Sequence, residues 1–172
     1  MPHPILSLSD LVPGPLPDRI APPEAIRHLY DPRVAPLGPR LGARQLGCSL
    51  IALAPGRRGF PFHSHRANEE LFVILDGRGE IRIGSERRAI RAGDLIACPA
   101  GGPETAHQII NTGDRELSYL AISTRHSPEI AEYPDSGALM AIADYAVGED
   151  GVAQGVRHVC GGQGTLDYWD EA

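Results

Sequence analysis

Between residues 41 and 124 short apolar runs alternate with turn-forming residues. The runs are Gln45–Ala54, Glu70–Leu75, Glu80–Ile83, Arg87–Ile90, Asp94–Cys98, Ala106–Asn111 and Leu117–Ser123. They are rich in β-branched and aliphatic residues, and none carries helical periodicity of useful length. Asp76-Gly77 and Gly84-Ser85 separate the second, third and fourth runs and mark turns. Short strands broken this often predict an all-β antiparallel sandwich or barrel. The segment Leu71 to Leu75 is apolar on both strand faces. One face lines the barrel; the other needs a cover, either from elsewhere in the chain or from a second copy in a homodimer.

The flanks read differently. Ten of the sixteen prolines lie within the first 39 residues. Proline fixes φ and lacks an amide donor, so this stretch can be neither a central strand nor a long helix. Residues 1–40 are expected to form an extended N-terminal arm, docked through Ile5, Leu6, Leu8, Leu11, Val12, Leu16 and Ile20. One short helical turn is expected at Pro23–Tyr30. Residues 125–172 form a C-terminal tail that packs on the barrel or on a partner subunit. Within it, Ala138–Tyr145 is a strand or a helical turn, Gly161 to Gly164 is a glycine run, and Leu166, Tyr168 and Trp169 form an aromatic anchor. No internal repeat is visible, so one barrel is expected over 41–124.

Composition narrows the chemistry. The 172 residues fit one domain, and a hydrophobic content of 42% can fill a core. All 16 basic residues are arginine. The absence of lysine excludes a Schiff base, a pyridoxal anchor and a P-loop. A net charge of −6 with no basic run argues against nucleic acid or a membrane surface as partner. No apolar run approaches the ~20 residues of a membrane helix. Three widely spaced cysteines do not make a disulfide framework. The N-terminus lacks the charged and apolar regions of a secretion signal, so a cytoplasmic location is expected.

The chemistry gathers at His63-Ser64-His65-Arg66-Ala67-Asn68-Glu69-Glu70. Residues two apart on a strand share a face, so His63 and His65 project together. A turn then returns the chain, and Glu70 can face both imidazoles, while Glu69, one step away, faces outward. His107 lies on a later strand that a barrel can bring alongside. Imidazole and carboxylate together suit a divalent transition metal. The isolated His3, His28 and His126 read as solvated or core imidazoles. His158 and Cys160 could share a face, but near a glycine-rich tail they read as structural.

Gly56 to Gly77 reads G-x6-H-x-H-x4-E-x6-G, and Gly93 to Asn111 reads G-x5-P-x-G-x5-H-x3-N. These resemble the two motifs of the cupin superfamily, and the phrase Pro103 to Asn111 resembles single-barrel bacterial members. The second motif departs by an insert, Gly102-Pro103-Glu104-Thr105, which enlarges a loop at the barrel mouth. The resemblance covers 41–124 and implies a double-stranded β-helix, that is, a jelly-roll barrel. It also implies one divalent metal per chain (Zn, Fe, Mn or Ni) on His63, His65, Glu70 and His107. Glu104 and Tyr119 are the candidate catalytic groups. Gln108, Asn111, Arg44 and Phe72 are candidate substrate contacts. The expected function is a metal-dependent oxygenase, isomerase or lyase for a small polar or anionic molecule; the alternative is a non-catalytic sugar or small-molecule binding module.

Overall fold

The structure, a computed structural model, describes residues 5–147 and 153–161. The glycine run beyond Gly161 and the anchor residues Leu166, Tyr168 and Trp169 lie outside the described residues. In chain order the strands are β1 (Gly14–Pro15), β2 (Arg33–Pro36), β3 (Leu46–Leu53), β4 (Ser64–His65), β5 (Glu70–Asp76), β6 (Arg78–Ile83) and β7 (Glu86–Arg91). They continue with β8 (Leu95–Cys98), β9 (His107–Ile110), β10 (Leu117–Thr124), β11 (Glu129–Tyr133), β12 (Ala138–Val147) and β13 (Ala153–Cys160).

One sheet has the order β1-β2-β3-β10-β5-β8, a second β7-β6-β9 and a third β13-β12-β11-β4. The second and third meet where His63 and His107 form an antiparallel bridge. This bridge is reciprocal, with His63 N donating to His107 O at 3.2 Å and His107 N to His63 O at 2.8 Å. The two smaller sheets are thereby joined across the barrel from the larger one.

The core follows from strand alternation. Ile51, Leu53, Phe72, Ile74, Leu117 and Tyr119 point inward from the large sheet and meet Ile81, Ile90 and Ile109 from the opposite side. Turn chemistry sets the strand register. β6 and β7 pair from Ile83↔Glu86 onward, which leaves a two-residue turn with Gly84 at φ +53°, as a hairpin turn with glycine in its first central position requires.

The N-terminal segment packs on the large sheet, but of the residues expected to dock it only Leu11 is buried, with Leu6 packed beside it, while Ile5, Leu8, Val12 and Ile20 are exposed. Its β2 pairs antiparallel with β3, from Arg33↔Ala52 to Pro36↔Ser49, and β1 pairs with β2. Leu11, Ala35 and Leu37 are buried against Leu50 on the outer face of the large sheet. Within the sheet the arm places Pro15 on the edge strand β1 and Pro36 at the end of β2, past its pairing with β1; its other described prolines lie outside the strands, where a missing donor costs least. The helical turn within Pro23–Tyr30 is a short 3-10 segment, Glu24–Ile26. Further along the same outer face Leu75 and Leu95 remain exposed.

The barrel does not stop at residue 124. β11 pairs with β4 through Ala131↔His65 and Glu132↔Ser64, so residues beyond 124 belong to the sheet that carries the histidines. The segment read as strand or helical turn is the strand β12, paired with β11 and β13. No helix among the described residues is long and apolar enough to cross a membrane.

Candidate metal centre and pocket

His63 and His65 project to one side, with ring centroids 5.0 Å apart. Glu70 opens β5 beneath them, and His107 arrives on β9. Oε2 of Glu70 lies 2.7 Å from His107 Nε2, 3.9 Å from His63 Nε2 and 3.8 Å from His65 Nε2. Donor atoms of His63, Glu70 and His107 lie within 4.8 Å of one another. His65 reaches the group through Glu70 and stands at its side.

The outer nitrogens decide what the inner ones can do. His63 Nδ1 donates to Pro61 O at 2.8 Å, and His107 Nδ1 to Thr105 O at 3.2 Å. Each Nε2 therefore points into the cluster. For His107 both nitrogens face acceptors, so in the absence of a cation it holds two protons. Burial opposes that charge, but hydrogen bonding and charge from Cys98 and Glu70 outweigh it and push the pKa up to about 10. His63 goes the other way: burial, opposed by Glu70, pushes it down to about 4. Burial raises Glu70, but the His107 hydrogen bond and the surrounding imidazoles hold its carboxyl below the usual range. A divalent ion fits this donor set. It would replace the proton between His107 and Glu70 and meet nitrogen and oxygen donors of the right kind.

The opposed histidines predict a pH profile for the metal-free chain. A histidine whose pKa falls on folding takes up protons more readily when unfolded, so His63 removes stability as pH drops from about 6.5 to 4. The contribution of His107 is complete below about 6.5 and is lost as pH rises through about 10. Thermal unfolding in chelator is expected to show its highest Tm near pH 6.5, the ordinary histidine pKa. A Tm that climbs steadily from there into the alkaline range would contradict this assignment of charge.

Beside the cluster lies an open pocket of about 400 Å³, lined by His65, Glu70, Arg44, Arg125, His126 and Asp144 among others. Arg44 precedes β3 and Arg125 follows β10. Those strand ends are paired through Thr124↔Leu46, which brings both arginines to the mouth. His126, read from the sequence as an isolated imidazole, also lines this pocket. Asp144 has φ +51° and lies where the β12–β13 register shifts between Ala143 and Ala146. Such bulges re-aim side chains next to sites. Ser127 Oγ accepts from Asp144 N at 2.9 Å, and donates to its Oδ1 at 3.3 Å.

The other candidates are placed elsewhere. Glu104 is exposed in the 3-10 turn Pro103–Thr105, where its carboxylate accepts from Gly102 N at 2.9 Å. That hydrogen bond, with Arg66 nearby, holds its pKa below the usual range. Tyr119 is buried under the cluster, edge-on to Phe72 at 5.8 Å. Burial and the charge of Glu70 push its phenol above its ordinary range, so it stays protonated. Tyr119, Phe72 and Gln108 line a void of about 50 Å³ together with His63, Glu70 and His107. Gln108 Nε2 donates to Phe60 O at 2.7 Å, which ties the loop before His63 to β9. Asn111 spends its whole amide on main chain: Nδ2 donates to Leu53 O and Arg115 O at 2.8 Å each, and Oδ1 accepts from Gly113 N at 2.9 Å. It is a staple at the barrel floor, not a pocket group.

Sequence reasoning missed Glu129, Arg125 and Asp144. Glu129 is buried, and most of its partners are main-chain amides, those of residues 66 to 68 and of Ile130. No side-chain pattern marks such a role. Asp144 depends on a bulge that residue types do not announce.

Comparison with known proteins agrees with this geometry. A family profile described as a cupin domain matches residues 49–123. An uncharacterized protein of Methanocaldococcus jannaschii is 38% identical over 61 residues, 36% of this chain and 46% of that protein. The chain spans between a quarter and a half of the length of the curated relatives it matches. A candidate sugar phosphate isomerase of Acidithiobacillus ferrooxidans superposes with TM-score 0.62 at 28% identity, over 65% of this chain and 70% of that one. A sugar phosphate isomerase from a cupin superfamily, of Silicibacter pomeroyi, superposes with TM-score 0.73 over 96% of this chain and 98% of that one; at 22% identity this likeness concerns the fold. With the barrel, the matched profile and the His/Glu cluster all in agreement, residues 49–123 form a cupin domain.

Proposed function

We propose that this cupin is a metal-dependent isomerase for a small hydroxylated anion, with one divalent transition metal per chain held by His63, His65, Glu70 and His107. The observation that carries the reading is the His/Glu cluster opening into a pocket that two arginines also line. The candidate isomerase at 28% identity supports the reaction class. A bound divalent ion would supply Lewis-acid polarisation of a substrate oxygen.

The chain's own residues supply the rest. Arg44 and Arg125 hold the anionic end, since a guanidinium matches phosphate or carboxylate oxygens in bidentate fashion. Moving a carbonyl along a carbon chain requires a base that takes a proton from one carbon and returns it to the next. Asp144 and His126 are the pocket groups able to do this, and the Ser127 hydroxyl orients the Asp144 carboxylate. The phenol of Tyr119 below the cluster closes the barrel interior to water. The exposed Leu75 and Leu95 mark the face on which two copies would pair.

The test is NMR detection of interconversion across aldose and ketose phosphates by metal-loaded protein. Asp144→Asn is expected to lower kcat by roughly 10²–10⁴-fold with metal content unchanged, whereas Arg44→Ala raises KM. Tight binding of these compounds with no turnover would overturn the enzyme reading in favour of a binding module.

A further inference from the structure

We propose that Glu129 is a positioning residue for the metal centre, holding His65 in place as the fourth ligand; this rests on the metal reading above. The three histidines are not held alike. The outer nitrogens of His63 and His107 are bound to main-chain carbonyls. That of His65 is buried with no aligned hydrogen-bond partner. The group beside it is a carboxylate, Oε2 of Glu129 at 3.5 Å.

Glu129 itself is 4% exposed, an expensive place for a charge unless its oxygens are met. They are met by the turn between the ligands. Oε1 accepts from Arg66 N and Ala67 N at 3.0 Å each, and Oε2 accepts from Asn68 N at 2.8 Å and also from Asn68 Nδ2. One carboxylate thus fixes the main chain that leads from His65 to Glu70 and faces the His65 ring. Asn68 extends the hold, accepting at Oδ1 from Thr124 Oγ1 at 2.9 Å and His126 N at 2.6 Å.

A slight turn of the His65 ring would seat Nδ1–H on Oε2. That hydrogen bond selects the tautomer with a free lone pair on Nε2, the atom facing Glu70, and fixes the ring's orientation. Glutamine cannot substitute. Both carboxylate oxygens accept from N–H groups, so an amide nitrogen at either place would oppose a donor with a donor.

The experiment is a Co²⁺ titration of the full chain, followed by absorbance and by the exchangeable imidazole N–H resonances that cobalt shifts in proton NMR. In the wild type three such protons are expected, with the His65 proton in slow exchange. Glu129→Gln is expected to weaken Co²⁺ binding roughly 10–100-fold and to lose the His65 resonance alone. A merely structural role would leave all three resonances in place in the cobalt-loaded variant, and that result would overturn the proposal. The wild-type spectrum tests it without a variant, because a rapidly exchanging His65 proton in the loaded protein would overturn it too. A wild type that takes up no Co²⁺ overturns the metal reading itself, and this proposal with it, which is distinguishable from a variant that binds as the wild type does.

Discussion

Replacing His107 with alanine is expected to leave a folded protein that retains almost no metal. Elemental analysis of the wild type, purified without added metal, should give close to one ion per chain. The reason is the position of His107 among the donors. It is 3% exposed, its Nε2 lies 2.7 Å from Glu70 Oε2, and its ring is fixed from behind by Thr105. Losing an outer partner of a ligand typically costs 10–100-fold in affinity. Losing the ligand itself is expected to cost more than about 100-fold, since Glu70 would then be left with His63 and His65, 3.9 and 3.8 Å from its Oε2. His63→Ala should behave alike. By contrast His126→Ala, which changes a pocket residue outside the donor group, should leave the ion in place. Stoichiometric metal in the His107→Ala protein would remove the site assignment.

The second large effect concerns stability. Gly77 sits between β5 and β6 at φ +85°, and a Cβ there would meet Glu116 O at 2.4 Å and the Leu117 Cα at 2.9 Å. An L-residue in that left-handed conformation costs about 1–2 kcal/mol, and crowding a well-packed site costs about 1–3 kcal/mol more. Both obstacles are main chain, so neither can rotate away. Gly77→Ala is therefore expected to destabilise the fold by roughly 2–5 kcal/mol. At about 2–4 °C per kcal/mol for a chain of this size, Tm should fall by roughly 4–20 °C. Thermal unfolding by circular dichroism checks this; an unchanged Tm would mean that β6 does not pass this close to β10.

These two positions also show what the sequence makes legible. Gly77 and the apolar runs on either side of it can be read because a turn demands a particular residue and a strand demands alternation. The strands from Glu70 to Cys98 and from His107 to Thr124 follow that rule. His63, His65, Glu70 and His107 are legible because strand period and spacing put their side chains on common faces. The third sheet is harder. β4 is two residues long, and its partner β11 lies more than sixty residues on, so neither carries a local signature. Arg44 and Arg125 meet because the paired ends of β3 and β10 meet, which is register and not composition. Glu129 eluded the sequence for a related reason: most of its partners are backbone amides, which every residue carries. Asn111 taught the opposite lesson. A motif position can look like a ligand contact and be consumed by three main-chain bonds that close the barrel floor.

The reciprocal backbone bridge between His63 and His107 has a consequence for biogenesis. The two residues are neighbours only once the smaller sheets have met, and forty-odd residues separate them along the chain. An emerging polypeptide offers the cell's metal pool His63, His65 and Glu70 without His107, an incomplete and unordered chelate. On the metal reading proposed above, ion capture would follow closure of the cage, and the rate of loading from an unfolded start should be capped by the rate at which non-local strands find each other.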